Sequence, residues 1–195
     1  MSCSEVITPS NARPKMQTTR GCGNVEPIMI GSKTVFVQGR GSVVRDMGYS
    51  YETDSYGGMD LTLLDKSVVA GHELIDATYM QEPNSAIYFV REDGKIAVLT
   101  YVIDQKVYAW STFETADGGA FESISAVAEG DIDAIYVVVV RNGKRYIEQF
   151  QGETDSTVPN DFIRLDCASV IESNEASTTL NAPQLANCVV TVLGD

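Results

Sequence analysis

His72 is the single histidine of this 195-residue chain, and it stands directly before Glu73. A histidine beside a carboxylate can act as a general base, but a hydroxyl or thiol nucleophile also needs an activating setting of its own. The sequence offers no Gly-x-Ser-x-Gly elbow and no cysteine in an activated context. His72 reads instead as a residue near a helix end, where the dipole and free carbonyls favour it. The carboxylates Glu114, Asp117 and Glu122, and the group Glu129, Asp131 and Asp133, are the other candidates. The last group has the start of a calcium-loop spacing without the later glycine and terminal glutamate, and reads as a solvated acidic turn. Cys3, Cys22, Cys167 and Cys188 form no Cys-x-x-Cys pair and are read as reduced thiols. Gly21-Cys-Gly23 and Gly39-Arg-Gly41 read as turns rather than phosphate loops. The expectation is therefore no enzyme: no catalytic residues, no metal and no cofactor.

Tyr49, Tyr51 and Tyr56, close to Gly57-Gly58, make the densest aromatic group. Amphipathic rings of this kind suit stacking on sugars or contact with a partner protein. They are the candidate contact residues, with packing between sheets as the competing use.

The elements that would position these residues are strands. Ser85–Tyr101 reads as a hairpin, with arms Ala86–Arg91 and Lys95–Tyr101 joined at Asp93-Gly94, where a tight primed turn is expected. The plan recurs at Ala134–Phe150 with Asn142-Gly143 as the turn, and more loosely at Lys33–Tyr49. Ile87 and Ile135 stand 48 residues apart (135 − 87), and Val35 lies 52 before Ile87 (87 − 35). Further strands are expected at 24–30, 73–81, 106–115 and 121–128, and a short helix from Asp60 to Ala70 with Leu61, Leu64 and Val68 on one face. Ile135–Val140 is apolar on both faces and is expected to be a buried central strand.

Four-stranded meanders repeating about every 50 residues are the pattern of β-propeller blades. The expected fold is all-β: an incomplete propeller-like array of four-stranded antiparallel meanders with one short helix, followed by a partial small β module. Residues 1–23 read as an extended arm, 24–150 as blades (about 24–59, 72–115 and 120–150), and 151–195 as a linker and partial β module. Closure typically needs about four to eight blades, so the array is expected to be completed by something else.

With 27 acidic and 14 basic residues, the net charge of −13 opposes electrostatic capture of nucleic acid or anionic lipid. No apolar run reaches membrane-spanning length. The N-terminus lacks a basic region followed by an apolar core, so no signal peptide is expected.

Ile30–Tyr51 (IGSKTVFVQGRGSVVRDMGYSY), Asp60–Leu64 (DLTLL), Tyr79–Pro83 (YMQEP), Trp110 and Phe121–Ile124 (FESI) together resemble the tail nozzle (tail tubular protein B-like) family of short-tailed bacteriophages and prophages. Ala182–Gly194 resembles a strand-turn junction that follows the propeller region in such proteins. The resemblance implies a β-propeller-bearing structural protein of the virion tail. It would be made in the bacterial cytoplasm and assembled with other tail subunits as a homo-oligomeric ring, a hexamer in the full-length context. DNA would pass through without specific binding, and no enzymatic residues are implied. Members are several times longer, so the chain is expected to be an internal piece or a shortened product. A carbohydrate- or receptor-binding propeller of a phage particle, using the 50–59 loop, is the alternative expectation.

Overall fold

The computed structural model describes residues 18–39, 43–115 and 118–150, with Thr8, Ala12, Met16, Thr179 and Ala182 as isolated positions. Most of the 1–23 arm and of the partial β module at 151–195 lies outside the described residues. So do Arg40-Gly41, Asp117, Cys3, Cys167, Cys188 and most of the Ala182–Gly194 junction.

The described chain is all-β, with eleven strands in three antiparallel sheets. The first sheet runs β1 (Ile28–Ile30), β2 (Lys33–Val37), β3 (Val44–Ser50) and β4 (Ser55–Gly57). The second runs β5 (Leu74–Met80), β6 (Ala86–Arg91), β7 (Ile96–Val102) and β8 (Val107–Phe113). The third contains β9 (Ala120–Glu129), β10 (Ile132–Arg141) and β11 (Lys144–Gln149). Neighbours in sequence are neighbours in each sheet, so all three are meanders, and the sheets do not close into a barrel.

The strand sequences explain this arrangement. Side chains alternate between faces, so a strand that is apolar at every position has to pack on both sides. β6 carries Ala86 to Val90 and is buried along its whole length. Its odd face, Ile87 and Phe89, joins Val35, Val37 and Val44 of the first sheet with Leu99 and Tyr101 in one core. Its even face, Tyr88 and Val90, joins Phe121, Ile124, Ile135, Val137 and Val139 in a second core. The second sheet is thus sandwiched between the other two.

Three expectations are corrected. First, no α-helix forms over Asp60–Ala70; the only helical element among the described residues is a 3-10 turn, Lys66–Val68. Leu61 and Val69 are buried anchors, while Leu64 is 95% exposed and so does not share a buried face with them. Asp60 accepts hydrogen bonds from the Thr62 backbone N–H and hydroxyl, which closes a local turn instead of starting a helix.

Second, Asp93-Gly94 is not a two-residue primed turn. Only Gly94 is left-handed (φ +80), and the Arg91 N–H donates to the Lys95 carbonyl across a wider loop. The buried Arg91 guanidinium forks onto the Asp93 carboxylate at 3.0 and 2.6 Å, fixing that shape. The Asn142-Gly143 turn does take the expected form, with both residues left-handed between the paired Arg141 and Lys144.

Third, β10 is central but not buried on both faces: Ile135, Val137 and Val139 are buried, whereas Tyr136, Val138 and Val140 are half-buried. The third sheet ends the described array, so only one of its faces has a neighbouring sheet. That sheet has three strands among the described residues.

Candidate functional site

Two regions gather residues with chemical potential, and a third set of polar residues joins the sheets. The first region is the β3–β4 hairpin, where strand register places Tyr49 opposite Tyr56. Their rings meet edge to face with centroids 5.4 Å apart. The Tyr49 hydroxyl donates to Asp54 at 2.6 Å, and this bond raises the phenol's pKa. Asp54 is itself left-handed (φ 45) in the connecting turn. Tyr51 sits in that turn with 90% of its surface exposed. The structure therefore brings Tyr49 and Tyr56 together, while no ring contact joins Tyr51 to them. An edge-to-face pair presents one open ring face and one edge, which is a contact patch and not a flat stacking platform.

The second region is a cavity of about 480 Å³ at one end of the first and second sheets. It is lined by Cys22, Gln38, His72, Glu73 and Glu92, among others. The Cys22–Gln38 bridge and the Gly39 N–H bonded to the Gly21 carbonyl dock the end of the arm onto β2 and form one wall. The Cys22 thiol donates weakly to the Val25 carbonyl at 4.0 Å, so it does not point to His72 as a nucleophile would to its base. His72 Nδ1 lies 3.7 Å from Asp93. Burial alone would raise the Asp93 carboxyl. The Arg91 guanidinium, with a contribution from His72, outweighs that and holds it below the usual carboxylate range. His72 thus belongs to a structural cluster, Arg91–Asp93–His72, tied to the 3-10 turn by Arg91 Nη1 donating to the Val68 carbonyl at 2.5 Å.

The other carboxylates do not converge. Glu114 pairs with Lys95, Glu122 with Arg145, and Glu129 accepts from the Tyr136 hydroxyl. Asp133 accepts from the backbone N–H groups of Gln81 and Glu82. Among the described residues, no group of three or more histidine, cysteine or acidic side chains is placed to hold a metal ion.

Sequence reasoning missed the residues that join the sheets. Asp46 is buried, with its carboxylate accepting from Lys33, the Met59 N–H (2.6 Å) and, from the second sheet, the Tyr101 hydroxyl (3.0 Å). Trp110 Nε1 donates to the Leu61 carbonyl at 2.8 Å across the same contact. On the other side, Asp76 accepts from the Ser123 hydroxyl and the Ile124 N–H, and Thr78 from the Ala126 N–H. These last bonds satisfy backbone donors on β9, the edge strand next to β5. The available signal was a carboxylate inside a strand: Asp46 and Asp76 both interrupt apolar segments at positions that alternation turns inward.

No protein-family model matches the chain, and no curated protein matches it.

Proposed function

We propose that this chain is a structural component of a phage tail, a nozzle- or hub-type protein that contributes to the DNA-exit conduit through subunit packing. The observation that carries the reading is where the buried chemistry goes. Asp46, Tyr101, Arg91 and Asp76 are engaged in fixing one part of the fold to another, and the two end sheets turn apolar side chains outward. The resemblance of Ile30–Tyr51 and the shorter motifs to the tail nozzle family supplies the assembly context. The charge of −13 suits a conduit, because it repels phosphate and lets DNA pass without specific binding. Among the described residues no helix is long and apolar enough to cross a membrane.

The test is composition of particles. Virions or induced prophage particles from the source strain would be banded on a density gradient and analysed by mass spectrometry. Peptides of this chain co-banding with the particles at a fixed ratio to other tail subunits are expected. Their absence from intact, infectious particles would overturn the reading.

Carbohydrate or receptor binding is the second reading, favoured by the outward placement of Tyr49, Tyr51 and Tyr56. It predicts glycan-array binding that Tyr51→Ala or Tyr56→Ala abolishes. No binding, with host attachment intact in both variants, removes it.

A further inference from the structure

We infer that Thr18–Asn24 is a strap that opens and closes as a unit over the end of the first sheet, gating the cavity and the edge of β2 while the core stays folded. Burial along the chain sets the contrast. Thr18 to Cys22 and Asn24 are exposed and Gly23 is half-buried, so no side chain of the strap enters a core. The next residue, Val25, is 4% exposed and packs in the first core. Local opening costs what its buried contacts are worth, so the chain is fixed from Val25 onward and lightly held before it.

Among the described residues, two backbone bonds tie the strap to β2 and its continuation. The Gly23 N–H donates to the Val37 carbonyl at 2.8 Å, and the Gly39 N–H donates to the Gly21 carbonyl at 2.7 Å. Gly21 and Gly39 are exposed, so water replaces a broken bond there and its net worth is modest. The side-chain tie is weaker still. Arg20 Nη1 donates to Gln38 Oε1 at 3.4 Å, and the same oxygen takes Arg45 Nε at 2.9 Å. Two guanidinium groups on one amide oxygen repel each other. The Gln38 N–H takes no part, because it donates the other way, to the Val43 carbonyl at 2.8 Å.

Opening has two consequences. Cys22, Gly23 and Asn24 form one wall of the cavity, opposite Gly71–Leu74 and Glu92, and lifting the strap removes that wall. It also frees the Val37 carbonyl and the Gly39 N–H. Unpaired groups of this kind are what a sheet edge offers to an added extended segment. Closed, the strap occupies that edge itself and withholds it.

The inference goes beyond the packing reading and stands without it. Its test is amide hydrogen exchange of the full chain, followed by NMR and corrected for intrinsic rates. Gly23 and Gly39 are expected to share one protection factor, because one opening exposes both. That factor should lie at least about a hundredfold below that of Tyr101, whose N–H donates to the Ser85 carbonyl inside the second sheet. Gln38, one residue before Gly39, should be at least about tenfold better protected than Gly39. Gly39→Ala loosens the strap selectively. A Cβ there would stand 3.0 Å from the Cys22 carbonyl oxygen, and Gly39 is not left-handed, so the crowding falls on the strap and not on the backbone of β2. Protection of Gly23 should fall by a further factor of about ten in this variant, with Tyr101 exchange and the melting temperature unchanged. Four results overturn the inference. Gly23 and Gly39 protected as strongly as Tyr101 would mean that the segment opens only on unfolding. Unequal protection of the two would mean that it does not move as a unit. Gln38 exchanging with them would mean that the whole sheet end frays. Gly23 protection unchanged in Gly39→Ala would mean that the close approach does not hold the strap. Should Gly39→Ala melt the core, the wild-type comparison of the four amides decides alone.

Discussion

Between the first and second sheets a carboxylate is buried. Between the second and third, the buried centre is apolar and the hydrogen bonds lie along one edge. Asp46 takes a cation, a backbone N–H and a phenol in a site with no solvent access to its side chain. Asp76 and Thr78 instead reach the half-exposed N–H groups of β9 beside a core of Val90, Ile96, Val137 and Val139. The same second sheet serves both contacts, so the difference lies in what its partners bring. The first sheet has short strands interrupted by glycine, and adds a buried polar contact to its apolar core. The third has long β-branched strands and closes it by burying area. A satisfied buried carboxylate fixes one arrangement, because any shift leaves a charge unpaired. An apolar face tolerates small slips, and the edge hydrogen bonds from Asp76 and Thr78 supply the register it lacks.

The sharpest way to break this comparison is to remove the two carboxylates in turn. Asp46→Ala strands Lys33 and leaves the Tyr101 hydroxyl and Met59 N–H without their acceptor, with an expected loss of about 3–5 kcal/mol. Asp76→Ala should cost about 2 kcal/mol, since solvent reaches Ser123. Urea titration of both variants measures the gap, and equal losses would dissolve the distinction.

Glycine substitution separates a contact from a bare turn. A Cβ at Gly94 would stand 2.5 Å from the Ala120 Cβ, and the residue is already left-handed. Gly94→Ala therefore combines backbone strain with a clash at the second–third contact, at about 3 kcal/mol. Gly143 is equally left-handed but has open space around it, so Gly143→Ala should cost only about 1 kcal/mol.

The smallest expected effect is a pH dependence. Burial, then the neighbouring Asp46 charge, raises the Tyr101 phenol far above its ordinary value of 10.0. Burial alone raises Tyr88 at the other contact. A phenol whose pKa is higher in the folded state contributes stability that is complete below the unfolded value. That stability is lost as pH climbs through about 10 toward the folded value. Melting temperature should thus fall above pH about 10. Tyr101→Phe should flatten that slope, and Tyr88→Phe should flatten it less. A slope unchanged in Tyr101→Phe would show that the first contact does not bury its phenol as described.

For the candidate sites, the sequence showed which residues existed but not which would meet. Tyr49 and Tyr56 were grouped by proximity along the chain, and the hairpin turned that proximity into a ring contact. His72 and Glu73 were equally close, yet His72 faces Asp93, twenty-one residues on (93 − 72). The cavity wall formed by Cys22 and Gln38 joins segments that no local pattern relates.

What the sequence alone determined is most of the strands and their pairing within each sheet; β4 (Ser55–Gly57) falls in the stretch read as a loop. Alternation, Asn-Gly and Asp-Gly turns, and short connections are local, and a meander needs nothing else to set its neighbours. Tertiary structure decided which face of each strand is covered, and with that the fate of 60–70. Leu61 and Val69 are drawn into the core between the sheets, while Leu64 is left in solvent. It also decided that β10, apolar on both sides in sequence, has a neighbouring sheet on one side only among the described residues. Burial depends on which sheet arrives from elsewhere, and a strand's own residues carry no record of that.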